Sequence, residues 1–220
     1  MTKISFQGEF GAYSHLACNE VFSDCTPIPC ETFEAALEHV HKGMSDYAML
    51  PVENSVAGRV ADIHYMLSGY ELKIYAEHFQ KVEHQLLGIK DSSLDTIENV
   101  RSHTMAVGQC GKIIKELGLK PIVMADTAGS AKYLNEQGTN KDSAIASKLA
   151  ADTYGLQILK ENIQDVNHNV TRFLVMSNNE QQSRQDNTNY LTSCIFEVKS
   201  VPSALYKALG GFATNGVNLT

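Results

Sequence analysis

The chain has 220 residues, of which 43% are hydrophobic and five are proline, so it can bury a substantial core in one large or two modest domains. Its 18 Lys and Arg residues against 25 Asp and Glu residues, without a basic block, exclude a nucleic-acid surface, because such surfaces gain affinity by neutralising phosphates. No stretch approaches about 18 uncharged apolar residues, which excludes a membrane-spanning helix.

The N-terminal sequence "MTKISFQGEF" enters a strand-like pattern directly, without a hydrophobic signal segment, and this predicts a cytoplasmic protein. The five cysteines are odd in number and form no CxxC motif, so free thiols are expected rather than disulfides or a zinc site.

Over the first 160 residues, short apolar runs alternate with helix-length periodic segments, which is typical of an α/β fold with largely parallel strands. Predicted strands are "KISFQG", "TPIPCET", "DYAMLPVEN", "NVRSHT", "KPIVMADT" and the start of "DSAIASKLAADTYG". Predicted helices are "AYSHLACNEVF", "FEAALEHVHKG", "AGRVADIHYMLSG", "MAVGQCGKIIKELG", "AGSAKYLNEQG" and the rest of that last segment.

Three further segments have extended character: "LKIYAEHFQKVEHQLLGIK", "LQILKENI" and "NVTRFLVMSN". We interpret the first as a crossover into a second lobe and the other two as the return to the first lobe. The predicted lobes are residues 1–76 with 162–177, and residues 77–161. Two such lobes form a cleft, which is a favoured site for a small ligand.

A compositional break follows at residues 178–189, "NNEQQSRQDNTN", which contain no aliphatic or aromatic side chain and are typical of a linker. Beyond it, "YLTSCIFEVK" alternates like a strand, "VPSALYKALGGFATNG" predicts a helix, and "VNLT" begins another strand. A βαβ fragment of about 30 residues lacks partners for its apolar faces, so residues 190–220 are predicted to be the front half of a small domain.

Polar residues gather where predicted strands end and helices begin, which is where α/β proteins place functional groups. They occur in "GEFGAYSH", "PVENSVAGR", "VRSHTMAVGQC", "ADTAGSA" and "NVTRF". Each has a structural alternative: Asp126, Thr127, Ser102 and Ser55 are good helix N-caps, and Arg172 suits an exposed strand. Their joint occurrence favours a functional site.

Six motifs, five of which overlap these segments, identify the chain as resembling the prephenate dehydratase family. They are "GEFGAYSH", "PVENSVAG", "SHTMAVGQC", "DTAGSA", "AIASKLAADTYGL" and "NVTRFLV", and they occur in the family's order over residues 3–178. The segment "PSALYKALGGFATNGVNLT" is similar to the start of the family's ACT regulatory domain. The sequence departs from the family at Thr104 and Met105, where Pro-Gln is common, and it ends at Thr220 with the ACT module incomplete.

The resemblance implies a two-lobed α/β region similar to type II periplasmic binding proteins, with the active site in the cleft, followed by a partial ACT domain. It implies conversion of prephenate to phenylpyruvate in phenylalanine biosynthesis, no metal or organic cofactor, a homodimer or homotetramer, and L-phenylalanine as an effector. The implied catalytic residues are Thr171, Glu53, Asn54 and Arg172. The implied substrate-binding residues are Tyr13, Ser14, Ser55, Ser102, Gln109, Thr127 and Phe173, and the regulatory residues are Ala204, Leu205, Asn218 and Leu219.

The chemistry of prephenate suggests a role for each group of these residues. Loss of the ring hydroxyl with carbon dioxide makes the ring aromatic, so the enzyme must mainly help a poor leaving group depart. We expect the Thr171 hydroxyl to donate a hydrogen bond to the leaving oxygen. Uncharged donors and helix-start amides would bind the two carboxylates. Arg172 has three candidate roles: to bind a carboxylate, to orient Thr171, or to pair with Glu53.

Two alternative functions remain open from the sequence. A cleft between lobes also serves proteins that only bind small anions. The same chemistry could instead act on arogenate, in which an amino group replaces the keto oxygen of prephenate.

Overall fold

A computed structural model of the chain describes residues 1–179, 192, 194 and 196–219, which divide into one unit over Met1–Ser183 and a second over Arg184–Thr220. The strands are β1 (Thr2–Gln7), β2 (Cys25–Cys30), β3 (Tyr47–Asn54), β4 (Gly58–Arg59), β5 (Lys73–Lys81), β6 (Gln85–Gly88), β7 (Asn99–His103), β8 (Lys120–Met124), β9 (Asp142–Ala146), β10 (Gln157–Lys160) and β11 (Val170–Ser177). The helices are α1 (Tyr13–Val21), α2 (Phe33–His41), α3 (Ala61–Met66), α4 (Thr104–Gln109), α5 (Gly111–Glu116), α6 (Thr127–Gln137), α7 (Lys148–Tyr154) and α8 (Ala204–Thr214).

The first lobe is built on a mixed sheet with strand order β2-β1-β3-β11-β5, and β4 pairs with β3. β1 runs parallel to both β2 and β3, whereas β11 is antiparallel to β3 and β5. Alternate side chains of each strand face opposite sides of the sheet, so Ile4 and Phe6 join a core with α1 while Ser5 donates to Ala36 O of α2 (2.7 Å). Each face of this sheet is therefore covered by a hydrophobic cluster.

The second lobe is built on a sheet with strand order β10-β6-β9-β7-β8. β7 is parallel to β8 and β9, and β6 is antiparallel to β9 and β10. One cluster around Val100 and Ile145 packs against α4 and α5, and another around Leu87 and Leu134 packs against α6 and α7. The two sheets confirm the predicted two-lobed α/β fold. The segment "LQILKENI", however, does not return to the first lobe as predicted, because its strand β10 pairs with β6 in the second sheet.

Two crossing segments, residues 82–84 and 161–169, connect the lobes. They are joined by hydrogen bonds from Val82 N to Asn169 O (2.8 Å) and from Ile163 N to His84 O (2.9 Å). The predicted lobe boundary at residues 76 and 77 lies inside β5, which stays paired with β11 as far as Lys81. The chain therefore leaves the first lobe about five residues later than the sequence pattern indicated.

Two predicted helices are shorter than expected. In the segment 57–69, Gly58 and Arg59 instead form β4, which pairs back onto the end of β3, and α3 begins only at Ala61. The segment 105–118 is divided into α4 and α5 at Cys110, whose φ and ψ are −120° and 26°. Gly108 and Gly111 flank this break, and glycine disfavours the helix interior.

The lobes also contact each other through the loop before α1. Ser147 Oγ donates to Gly11 O (2.6 Å), Tyr154 Oη donates to Phe10 O (2.9 Å), and Lys132 Nζ lies 3.2 Å from a Glu9 carboxylate oxygen. The "GEFG" part of the first motif is therefore a contact between lobes.

Replacing Gly11 by alanine is expected to lower the free energy of unfolding by about 2–4 kcal/mol, measured by urea denaturation. Gly11 has a φ of +87°, and a Cβ placed there would lie 2.6 Å from the Cα of Ala150. Gly155 is the matched control, because its φ is +64° and nothing lies within 4 Å of an added Cβ. Gly155→Ala should cost only about 1 kcal/mol. Equal losses in the two variants would contradict a steric role for Gly11.

In the described part of the second unit, α8 is the only helix or strand. The strand predicted over residues 190–199 lies partly outside the described residues, and residues 196–199 have no strand structure. Ala204 and Leu205 begin α8, whereas Asn218 and Leu219 follow it. The partial ACT domain remains a prediction.

Among the described residues, none of the helices is both long enough and apolar enough to span a membrane. Cys18, Cys25, Cys30, Cys110 and Cys194 are free thiols.

Candidate active site

The end of β3 and the start of β11 bring two predicted catalytic residues together. Thr171 is the register partner of Asn54 across this antiparallel pair. The Asn54 amide is oriented by its own backbone, because Oδ1 accepts from Val56 N (3.0 Å) and Ala57 N (2.7 Å). Its Nδ2 group must therefore point away from this turn.

Asn54 Nδ2 donates to Thr171 Oγ1 (2.9 Å) and to Asn169 Oδ1 (2.7 Å). The Thr171 oxygen thus accepts a hydrogen bond from the protein, and no described residue accepts its hydroxyl proton. A hydroxyl that accepts one hydrogen bond is polarised towards donating another. The geometry therefore leaves the Thr171 hydroxyl proton free to bind a ligand. Thr171 does not itself line the cavity described below, but Asn54 links it to Asn169, which does.

Asn169 joins the two lobes by hydrogen bonds to Asn54 of the first lobe and Gln109 of the second. It is 1% exposed, and its Nδ2 donates to Oε1 of Gln109 on α4 (2.9 Å). His84 Nε2 lies 2.9 Å from the same oxygen. Gln109 therefore uses its carbonyl for internal contacts, and no described residue accepts from its Nε2 group. We call Asn54, Asn169 and Gln109 the amide chain.

The sequence predicted Asn54 and Gln109 but missed Asn169 and His84 as members of this network. Asn169 belongs to the visible polar run 167–169 just before β11, which was a usable signal. His84 stands in an unremarkable stretch of the first crossing segment, so only its contacts reveal it.

A cavity of about 340 Å³ adjoins the amide chain, which is the size of a small-molecule site. Gln109 and Asn169 contribute polar groups to its wall. Val56, Met105 and Val166 make other parts of that wall apolar. Thr104, which together with Met105 marks the departure from the family motif, also lines the cavity.

Ser55 fastens the turn after β3 to the start of β11. Its Oγ donates to His168 O (2.7 Å) and accepts from Val170 N (3.0 Å). The predicted alternative of a helix N-cap is wrong for Ser55, because its hydroxyl bonds to another strand. Its contacts support the position of Thr171 next to Asn54.

Arg172 forms an ion pair with Glu77 of β5, with Nε 2.9 Å and Nη2 2.8 Å from Glu77 Oε2. Successive strand side chains point to opposite faces, so Arg172 lies on the other face of the sheet from Thr171. The hypothesis of an Arg172 pair with Glu53 is corrected by this contact. Glu53 is exposed, and no described residue forms an ion pair with it.

The remaining predicted substrate-binding residues do not converge on the amide chain. Phe173 is 1% exposed and packs in the core with Ile4 and Phe6, so it has no surface for a ligand. Ser14 is buried in the first turn of α1, and Thr127 is the first residue of α6, which Asp126 caps through Gly129 N (2.6 Å). The capping role predicted for Asp126 is confirmed.

Tyr13 joins the site indirectly. Its hydroxyl donates to Glu83 O (2.8 Å) and lies 3.0 Å from His84 Nδ1. Burial raises the pKa of Tyr13 well above its usual value, followed by smaller contributions from Cys110 and Glu83, so the hydroxyl stays protonated. Tyr13 therefore contacts His84, which in turn contacts Gln109, and does not line the cavity.

Ser102 is fully buried, and its Oγ donates to Ile145 O on the neighbouring strand (2.7 Å). It lies inside β7, so it is neither an N-cap nor accessible to a ligand. Ser102→Ala is expected to lower the free energy of unfolding by about 1–2 kcal/mol, because Ile145 O loses its donor. The value of kcat/KM should stay within about threefold of wild type, and a rise in KM of more than tenfold would contradict this placement. Denaturation and steady-state kinetics measure the two effects.

Within the described residues, no group of three or more His, Cys, Asp or Glu side chains is arranged to hold a metal ion. The cavity wall carries one charged side chain, Asp165, whose carboxylate accepts from Lys112 N (3.2 Å). Ligand contacts here would come mainly from uncharged donors and apolar surface.

These features define a two-lobed α/β protein with a small-molecule cleft between the lobes. The model of the family described as "PDT: Prephenate dehydratase" matches residues 4–181. The chain belongs to the prephenate dehydratase family, which confirms the resemblance seen in its motifs.

Named relatives cover nearly the whole chain. A bifunctional N-acyl-homoserine lactone acylase/prephenate dehydratase of Komagataeibacter europaeus is 48% identical over 217 residues, covering 99% of this chain and 77% of the relative. Arogenate dehydratase/prephenate dehydratase 1 of Arabidopsis thaliana, a chloroplastic protein, is 41% identical over 218 residues. That alignment covers 99% of this chain but 55% of the plant enzyme, so the chain spans about half of that relative's length.

A solved structure has the same fold. The prephenate dehydratase of Arthrobacter aurescens, in complex with L-Phe, superimposes with a TM-score of 0.85 at 31% identity. The match covers 100% of this chain and 74% of that one.

Proposed function

We propose that the protein catalyses the decarboxylating dehydration of prephenate to phenylpyruvate. The observation that carries this proposal is the Thr171 hydroxyl, which accepts from Asn54 Nδ2 at 2.9 Å and whose own proton no described residue accepts. In the reaction, the bond between the ring and its carboxylate breaks, and that electron pair completes the aromatic ring. The ring hydroxyl leaves and takes up one proton to become water, while carbon dioxide departs.

Thr171 would stabilise the departing oxygen by donating a hydrogen bond to it. A threonine hydroxyl is too weak an acid to give up its proton completely, so the proton that completes water comes from solvent. The donor acts mainly as negative charge develops on the oxygen, and only interactions that strengthen in the transition state accelerate a reaction. Gln109 Nε2 is the donor placed to bind a substrate carboxylate.

The direct test is to incubate purified protein with prephenate and follow phenylpyruvate by its absorbance. We expect multiple turnovers without added metal. Binding of prephenate without product would instead support the binding-protein alternative and contradict the proposal.

Arogenate is the second candidate substrate. The Asp165 carboxylate on the cavity wall favours it, since a carboxylate attracts the ammonium group that distinguishes arogenate from prephenate. The plant relative carries both names. Comparing kcat/KM for the two substrates, in wild type and in Asp165→Asn, decides between them, because the variant should lose activity selectively towards arogenate.

A second candidate activity is hydrolysis of N-acyl-homoserine lactones, in which water adds across the amide to release a fatty acid and homoserine lactone. The 48% identity to the bifunctional relative and the apolar side chains of Val56, Met105 and Val166 on the cavity wall favour it. Release of homoserine lactone from an acylated substrate by purified protein is the test, and Thr171→Ala should show whether the two activities share a site.

We further infer regulation by L-phenylalanine and assembly into dimers or tetramers, with the sequence after residue 190 contributing the effector site. Support for the first inference comes from the Arthrobacter aurescens structure, which is described as a complex with L-Phe and whose match covers 100% of this chain. Calorimetric titration with L-phenylalanine and mass measurement in solution, with and without it, test both inferences. Absence of heat at millimolar L-phenylalanine would contradict the first.

A further inference from the structure

His84 occupies a position that no sequence motif singles out. It lies in the first crossing segment, is 2% exposed, and contacts Tyr13 of the first lobe and Gln109 of the second through its two ring nitrogens. Its backbone N–H is also bound, by Gln164 Oε1 at 2.9 Å in the other crossing segment. The ring is therefore held from several sides.

The direction of each hydrogen bond in the amide chain is fixed at its first member. Asn54 turns Nδ2 towards Asn169 because backbone N–H groups occupy its Oδ1. Asn169 must then accept with Oδ1 and donate with Nδ2 to Gln109. Gln109 accepts with Oε1, and an amide oxygen has no hydrogen to donate, so His84 Nε2, which is bonded to it, carries the hydrogen.

The second ring nitrogen completes this assignment. With Nε2 protonated, Nδ1 of a neutral ring is an acceptor, and the Tyr13 hydroxyl proton is shared between Nδ1 (3.0 Å) and Glu83 O (2.8 Å). Burial lowers the pKa of His84, with a smaller opposing effect from the hydrogen bond to Gln109, so the neutral ring is favoured. His84 is therefore expected as the Nε2–H tautomer.

We propose that His84 is a positioning residue that fixes the orientation of Gln109. By donating from Nε2 to Gln109 Oε1, it directs the Gln109 Nε2 hydrogens into the cavity, where they bind a substrate carboxylate. Without this donor, Asn169 Nδ2 alone holds Gln109 Oε1, so the Gln109 amide rotates more readily and presents its oxygen to an anionic substrate, which that oxygen repels. The identity of the substrate in this inference rests on the proposed function. The direction of the hydrogen bond from His84 to Gln109 does not.

Substitutions at His84 separate positioning from simple packing. His84→Leu removes both ring contacts and should raise KM for prephenate about tenfold, with kcat within about threefold, because a carboxylate kept through the reaction is bound equally before and during it. His84→Gln keeps one donor and one acceptor and should recover part of the loss. A fall in kcat at unchanged KM would overturn the proposal.

A double-mutant cycle with Gln109→Ala gives the sharper test. If His84 acts through Gln109, His84→Leu should raise KM less than twofold on the Gln109→Ala background. His15 is the matched control, since it is a buried histidine that stacks on Phe6 and accepts from Gly11 N (3.0 Å). Any change in KM that His15→Leu causes in the wild-type protein should be equally large on the Gln109→Ala background. Full additivity for His84 as well would overturn the proposal.

Nitrogen-15 NMR of the imidazole tests the same geometry without turnover. We expect a neutral ring at pH 7.5 with the proton on Nε2, and faster exchange of that proton in Gln109→Ala. A proton on Nδ1 alone would overturn the positioning role, even if prephenate is turned over. Conversely, the expected tautomer in a protein that makes no phenylpyruvate would refute the proposed function while leaving the orientation of Gln109 supported.

Discussion

Thr171→Ala is expected to lower kcat for prephenate at least about 100-fold while the fold remains intact. The alanine removes the hydroxyl that accepts from Asn54 and whose own proton no described residue accepts. A 100-fold loss corresponds to about 2.7 kcal/mol of transition-state stabilisation, which is the range of a single well-placed donor to a developing oxyanion. KM should change little, because the effect arises as charge develops on the leaving oxygen.

Thr171→Ser is the matched control for this variant. Serine keeps the hydroxyl and loses only a methyl group, so kcat should stay within about tenfold of wild type. Both variants should unfold within about 1 kcal/mol of wild type, since Thr171 is half-buried and its backbone pairing with Asn54 is retained. Steady-state kinetics and urea denaturation provide the measurements. A kcat near the wild-type value in Thr171→Ala would contradict a catalytic role for Thr171.

Hydrophobic periodicity was sufficient to predict the two-lobed fold. β3 begins with a continuous apolar run, β1 alternates polar and apolar residues, and "NVTRFLVMSN", which returns to the first lobe as β11, stands out by its extended pattern. The lobe boundary was placed too early because β5 is an edge strand with charged residues at Lys73, Glu77 and Lys81, and its pairing with β11 is a contact between distant segments. No local pattern could show where that pairing ends.

Asn54 and Thr171 both stand at strand ends, which correctly predicted that they lie close together. Residues of strand ends that face the same edge meet whatever their separation in sequence, and here that separation is 117 residues. Position at a strand end does not show which of Thr171 and Arg172 shares a face with Asn54. Strand alternation places the two side chains on opposite faces of the sheet. Ser102 shows the opposite limitation, because its hydroxyl looks functional in sequence but bonds to Ile145 O inside the sheet.

Under the proposed function, the site would bind an anion with few charges of its own. Its cavity is lined by amides and apolar side chains, and the nearby guanidinium of Arg172 is bound by Glu77. Neutral donors suit a reaction that must release a carboxylate as carbon dioxide, because a strong cation would stabilise the ground state of the group being lost. The orientation of each amide then determines whether the cleft attracts or repels the substrate.

Asn54→Asp tests the orientation of the amide chain at its first member, Asn54. We expect kcat of this variant to fall at least about 100-fold at pH 8. The new carboxylate is nearly isosteric and can still accept from Val56 N and Ala57 N. Its other oxygen, however, replaces the donor that lies 2.9 Å from Thr171 Oγ1 and 2.7 Å from Asn169 Oδ1. Thr171 would then donate its proton to the protein instead of the substrate, and the Asn169 amide would have to rotate.

The pH dependence of Asn54→Asp distinguishes reversed hydrogen bonds from general damage. A protonated carboxyl group can donate as the amide did, so part of the lost activity should return as the pH is lowered from about 8 towards about 5, nearer the carboxyl pKa. Asn54→Ala lacks this donor and should show no such recovery. Asn19→Asp adds the same charge on the exposed surface of α1 and should keep wild-type kcat. Equal pH profiles for the aspartate and alanine variants would show that Asn54 supports the fold of the turn rather than the donor function of Thr171.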